Sequence, residues 1–129
     1  MRTYLVDATN ATRRDAYAPG FAEQEDANAR AFVGRLSAAA GALGGRVAVE
    51  LVFDGPRRDL GPATGLALRF SGERSADELI LGTVRSLRSQ GRGVIVATED
   101  SALADEVEQE GGRVIGFGEL FSRLRGGKA

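Results

Sequence analysis

Five short stretches of the chain are dense in β-branched and other apolar residues. Four of them, Arg2–Val6, Arg46–Phe53, Gly93–Ala97 and Arg113–Gly116, are apolar almost throughout. Strands covered on both faces of a parallel sheet read this way. The fifth, Leu66–Phe70, alternates. Leu66, Leu68 and Phe70 share one parity and Ala67 and Arg69 the other, as in an edge strand with one wet face.

Between these runs the apolar period changes to that of a helix. In Glu23–Leu43 the stripe is Ala29, Phe32, Val33, Leu36, Ala40 and Leu43, and Gly44-Gly45 stops it. In Ser75–Gln90 it is Ala76, Leu79, Ile80, Thr83, Val84 and Leu87, ended by Gly91. Ser101–Glu110 carries Leu103, Ala104 and Val107, and a short Glu119–Leu124 helix turns Leu120, Phe121 and Leu124 inward. Alternating strands and helices predict an α/β domain of three layers, αβα, around a mostly parallel sheet of about five strands. Two connections, Ala8–Ala22 and Gly55–Gly65, are long enough to be functional loops. No linker or repeat divides the chain, so residues 1–125 form one domain and 126–129 a frayed tail.

Composition narrows the chemistry by what is missing. Of 129 residues none is cysteine and none histidine, and Lys128 is the single lysine. This excludes disulfides, thiolate or imidazole metal sites, a Ser-His-Asp triad and a P-loop. Catalysis by this chain would fall to carboxylates, whose oxygens suit Mg²⁺ or Mn²⁺. The net charge of −1 points to neither nucleic acid nor membrane. With neither a signal peptide nor an apolar run of membrane length, the sequence predicts a cytoplasmic protein.

Three strands end in acid: Asp7, Asp54 and Asp100 stand at or just past their carboxyl ends, nearly equally spaced. Parallel strands would bring them to one sheet edge, where open α/β folds bind ligands. Asp77, in the first turn of the Ser75–Gln90 helix, should open at that edge too. Four converging carboxylates repel one another, and a divalent cation relieves the repulsion. Each acid also has a plain structural reading. Ser75-Ala76-Asp77-Glu78 is a capping box, Asp100 can cap the next helix, and Asp54 opens a turn in Asp-Gly-Pro. Only Asp7 has no predicted helix to cap. Arg13, Arg14, Arg57, Arg58, Arg69 and Arg74 lie in segments placed around the same edge. Guanidinium groups there would grip the phosphates of a polyanion.

The ordered set YLVDATN, VELVFDG, LRFSGERSADELI, GVIVATED and GGRVIGFGELF resembles the NYN domain of the YacP-like group within the PIN-like nucleases. It does so over essentially the whole chain. The resemblance implies a PIN-like fold and a metal-dependent endoribonuclease acting on single-stranded or ribosome-associated RNA. Asp7, Asp54, Asp77 and Asp100 would be its catalytic acids, with Asp7, Asp77 and Asp100 on the metal. Asn10, Glu78 and Thr98 would position the substrate. Ala8-Thr9 and Glu99 depart from the group's pattern, which has a Gly-aromatic pair and a small residue there. The alternative is an RNA-binding module of a ribosome or RNA-processing complex with little catalysis. A receiver domain needs a lysine at a late strand end, whereas Lys128 lies in the tail, and a haloacid-dehalogenase-like phosphatase needs a second aspartate at Thr9. A dinucleotide enzyme needs a Gly-x-Gly-x-x-Gly turn. The chain lacks all three.

Overall fold

The first strand, β1 (Arg2–Asp7), is buried from Thr3 onward and becomes the middle of the sheet. It pairs in parallel with β2 (Val47–Phe53) on one side and β4 (Val94–Ala97) on the other. β3 (Ala67–Phe70) adds to β2, and β5 (Arg113–Ile115) adds to β4. The order is β3-β2-β1-β4-β5, with every pair parallel. The structure, a computed structural model, describes residues 2–16, 22–41 and 47–126, and only the backbone of 14–16, 22 and 23. The expected Gly44-Gly45 stop, Leu43, Arg46 and the tail beyond Gly126 lie outside the described residues.

Strand alternation divides the core. Tyr4, Val6, Val49, Leu51, Phe53, Ile95 and Ala97 face helices α1 (Ala8–Ala16), α2 (Ala22–Gly41) and α5 (Phe117–Arg125). Leu5, Val52, Val94 and Val96 face α3 (Ala76–Ser89) and α4 (Ser101–Gln109). The predicted stripes are the buried faces: Ala29, Phe32, Val33, Leu36 and Ala40 on α2, and Ala76, Ile80, Val84 and Leu87 on α3. The chain moves outward from β1 to β3, then returns to β4. The topological switch therefore lies between β1 and β4.

Three sequence expectations change. The segment from Ala8 onward, expected as loop, is helix α1 through Ala16; 17–21 lie outside the described residues. Its inward face is made of the small residues Ala8, Ala11 and Thr12, all buried. Small residues give a weak apolar signal yet let a helix lie close to the sheet. Helix α5 starts at Phe117, two residues before the expected Glu119. Gly116 supplies no side-chain cap, and Glu99 Oε2 accepts the Phe117 N–H instead at 3.1 Å. Glu99 thus caps a helix distant in sequence. Finally, the second face of β3 is not simply wet. Arg69 is half-buried and donates to Glu50 (3.1 Å) and Thr83 (2.9 Å).

The 54–66 connection joins two parallel strands without a helix. It lies over α2: Leu60 is buried in that core layer, and Arg30 and Ser37 donate to the carbonyls of Asp59 and Thr64. Because Leu36 is fully buried in the same layer, Leu36→Ala should lower unfolding stability by about 2–5 kcal/mol. Urea denaturation would measure the loss at an unchanged m-value.

Candidate nucleic-acid interface at the sheet edge

All five strands end at one edge, and the helices that follow β1, β3, β4 and β5 begin there. Asp7 is the last residue of β1, opposite Val52 of β2. It is only 3% exposed. Thr98, one residue beyond β4, donates its hydroxyl to Asp7 Oδ2 at 2.8 Å. The same hydroxyl accepts the Asp100 N–H at 3.1 Å. Asn10 N–H reaches Asp7 Oδ1 at 3.5 Å, so Asp7 stands at the start of α1 in a capping position after all. The Asn10 side-chain oxygen accepts the Glu99 N–H at 3.0 Å, joining α1 to the end of β4.

The other acids are tethered at one oxygen. Asp100 Oδ1 accepts the N–H groups of Ala102 and Leu103 at the start of α4, at 3.0 and 3.2 Å. Asp54 Oδ1 accepts the Ala76 N–H at 2.6 Å, bridging the end of β2 to the start of α3. Among the described residues Asp100 Oδ2, Asp54 Oδ2 and the Asp77 carboxylate make no hydrogen bond. Asp7, Thr9, Asn10, Arg13, Asp54, Ser75, Asp77 and Asp100 together line one cleft of about 270 Å³. A larger groove of about 670 Å³ between α2 and α5 is mainly apolar, walled by Phe32, Phe117 and Phe121, and holds no acid.

The electrostatics match the geometry. The Asp7 carboxyl is pushed up to about 6, chiefly by burial, with Asp77 and Asp100 adding repulsion against the Thr98 and Asn10 hydrogen bonds. Asp77 is raised by burial, then by Asp100, Asp54 and Glu106. The donor set is entirely hard oxygen, which fits Mg²⁺ or Mn²⁺. Among the described residues, however, no three acidic groups are close enough to form a ready metal cage. The cleft fits such an ion in donor chemistry, and the carboxylates would have to draw inward to enclose it.

The structure separates the remaining predicted residues. Asn10 and Thr98 meet Asp7 as described. Of the predicted arginines whose side chains are described, only Arg13 lines the acid cleft, at 2.9 Å from Glu25. The Arg14 side chain lies outside the described residues. Arg57 is exposed beside a neighbouring pocket and has no ion pair among the described residues. Arg58 shares that pocket but is committed to the fold. It pairs with Asp26 at 3.1 Å, donates to the carbonyls of Asp54 and Pro56, and lies over the stacked rings of Phe53 and Phe70. Arg69 is held by Glu50 and Thr83, as above. Arg74 and Glu78 pair with each other at 3.3 Å in a separate pocket on the outer side of α3. The expected ring of arginines is thus broken: Arg69 on β3, Arg74 in the turn before α3 and Glu78 on α3 line a pocket apart from the cleft. Sequence reading passed over Thr9, Ser75 and Glu106. Thr9 stood out only as a departure from the resembling group's pattern and Ser75 only as a cap, and nothing in the local sequence marked Glu106.

No family model matches the chain, and no curated protein matches it. Among solved structures, Rae1 (YacP) from Bacillus subtilis aligns with a TM-score of 0.69 and 23% identity. The alignment covers 98% of this chain and 75% of that one. In fold, this chain is similar to Rae1 (YacP). A mutant form of Rae1 gives the same TM-score at 22% identity, covering 98% of this chain and 77% of its own. At the level of fold, the likeness bears out the YacP-like, PIN-like reading of the motif order. No described helix is long and apolar enough to cross a membrane.

Asp7→Asn keeps an acceptor for Thr98 and removes the buried charge. The wild-type carboxyl binds its proton more tightly when folded than when unfolded, so its contribution to stability falls as pH rises from about 4 through about 6. In metal-free buffer the variant should therefore be more stable than wild type at pH 7.5, by up to about 3 kcal/mol. The difference should close below pH 4. Chemical denaturation at the two pH values checks this, and an equal gain at both would mean that burial of the charge is not its cause.

Proposed function

We propose that this chain is a divalent-metal-dependent endoribonuclease that hydrolyses RNA phosphodiester bonds at the Asp7–Asp77–Asp100 cleft. One observation carries the reading: strand-end acids share a cleft of hard oxygen donors in which burial and mutual repulsion raise Asp7 and Asp77. RNA as the substrate rests on the motif order and is supported by the fold likeness. Ribosome-associated RNA as a target rests on the motif resemblance alone.

Mg²⁺ or Mn²⁺ held by Asp7, Asp77 and Asp100 would polarise a phosphoryl oxygen and acidify a bound water. The chain's own residues do the rest. Thr98 fixes Asp7 through Oδ2, leaving Oδ1 with one long contact from the Asn10 N–H. Asn10 holds the α1 end of the cleft against the backbone at Glu99. Arg13 at the rim can exchange its Glu25 partner for a phosphate. Exposed Arg57, on the loop that follows Asp54, can take a second phosphate. The N-termini of α1, α3 and α4 open at this edge and favour an anion. The open spacing of the acids favours a second reading, an RNA-binding module that does not cleave.

Cleavage of labelled single-stranded, structured and ribosome-bound RNAs separates the two. With Mn²⁺ or Mg²⁺ the wild type should cut. EDTA, Asp7→Asn or Asp100→Asn should lower the rate at least about a hundredfold, with the fold retained. Binding without cutting under every metal condition would favour the module. Arg57→Ala should weaken RNA binding and lower the salt slope by about one without changing thermal stability. Arg58→Ala should instead cost about 1–2 kcal/mol of stability, from the lost Asp26 pair and ring contacts. Parallel melting and salt-titration curves would tell them apart.

A further inference from the structure

Asp54 differs from the other acids in where its tethered oxygen goes. Asp7 and Asp100 each reach the N-terminus of the helix that directly follows them. Asp54 instead reaches across 22 residues to the Ala76 N–H, the first amide of α3, at 2.6 Å. The next residue is Asp77. The backbone of Asp54 is itself pinned, because its N–H donates to the buried Thr9 hydroxyl at 2.8 Å. Gly55 then turns the chain at φ +90°. Its N–H donates to Ser71 Oγ at 3.0 Å, and its carbonyl accepts the Gly72 N–H at 2.8 Å. The ends of β2 and β3 are thereby fastened together just before α3 begins.

A continuous chain of contacts therefore runs from Thr9 in α1, through Asp54, to Ala76 and Asp77. Ser75 is the ordinary cap of α3, accepting the Glu78 N–H at 3.1 Å. The Ala76 amide would have no partner in that cap, and Asp54 supplies it. Asp77 makes no hydrogen bond among the described residues, so its placement depends on how the first turn of α3 is held.

We infer that Asp54 and Thr9 are positioning residues: they hold the first turn of α3 so that Asp77 faces Asp7 and Asp100, and Asp54 is not itself a metal ligand. This rests on the proposed function for what Asp77 does, but not for how Asp77 is placed. An amide oxygen can accept the Ala76 N–H as a carboxylate does, so asparagine should serve at position 54 and alanine should not. A metal ligand behaves in the opposite way, since asparagine there loses the charge that binds the ion.

The test compares Asp54→Asn, Asp54→Ala, Thr9→Ser, Thr9→Val and Asp77→Asn with wild type. The readouts are hydrogen exchange of the Ala76 amide by NMR, Mn²⁺ titration and RNA cleavage. Asp54→Ala and Thr9→Val should speed Ala76 exchange at least about tenfold and weaken Mn²⁺ binding and kcat together. Asp54→Asn and Thr9→Ser should restore slow exchange and bring Mn²⁺ affinity to within about threefold of wild type. Asp77→Asn should leave Ala76 exchange slow and lose Mn²⁺ binding by tenfold or more. If Asp54→Asn keeps Ala76 protected but loses Mn²⁺ as Asp77→Asn does, Asp54 is a ligand and the inference is overturned. Should wild type neither bind Mn²⁺ nor cut RNA, the nuclease reading fails. The exchange data then judge the placement by themselves, and rapid Ala76 exchange in wild type would overturn it.

Discussion

Asp7 sits at the end of the central strand, with neighbours on both sides and almost no access to water. A carboxylate there must be held by hydrogen bonds and must tolerate burial, and much of the surrounding structure follows from that demand. Thr98 has to stand at the end of β4 with its hydroxyl turned inward. Asn10 has to stand one turn into α1 and bridge to Glu99. These contacts draw β1, α1 and β4 together at the switch in strand order, where an open parallel sheet leaves a cleft. Even so, the hydrogen bonds do not offset the burial, and the carboxyl is pushed up to about 6.

Capping and chemistry are often treated as rival explanations for an acid beside a helix. Here they occupy different oxygens. Asp100 gives one oxygen to the first amides of α4 and leaves the other toward the cleft. Asp54 likewise gives one oxygen to the first amide of α3, and there the contact places the helix turn that carries Asp77. An oxygen bound to backbone amides fixes the side-chain torsions, so the second oxygen starts from a narrow range of positions. Rigid placement of this kind lets weakly spaced acids act together, because little entropy is lost when they close on a ligand.

The arginines obey a different constraint. A long side chain is placed by the face of its element, not by its distance along the chain. Arg58 leaves the loop inward and covers Phe53 and Phe70, where its guanidinium also satisfies two backbone carbonyls. Arg69 and Arg74 point to the α3 side. Among the described residues, the predicted arginines left around the cleft are Arg13 and, along the adjoining loop, Arg57.

Much of the fold was legible in the sequence, since strands buried on both faces and helices with one apolar stripe carry strong periodic signals. Alternation alone led to a parallel sheet, and a parallel sheet puts strand-end residues at one edge. The convergence of Asp7, Asp54 and Asp100 was therefore readable in the chain itself, and so were the capping roles of Ser75 and Asp100. Helix α1 was not readable, because Ala8, Ala11 and Thr12 bury too little apolar surface to mark a stripe. The Glu99 cap on α5, the Thr98–Asp7 bond and the Thr9–Asp54–Ala76 contacts were not readable either. Each joins residues distant along the chain through a hydrogen bond whose partner is set by strand register. Local sequence determines which elements form and where their ends lie. Only the packed sheet decides which side chains meet, because register and side-chain direction are properties of neighbouring strands and helices taken together.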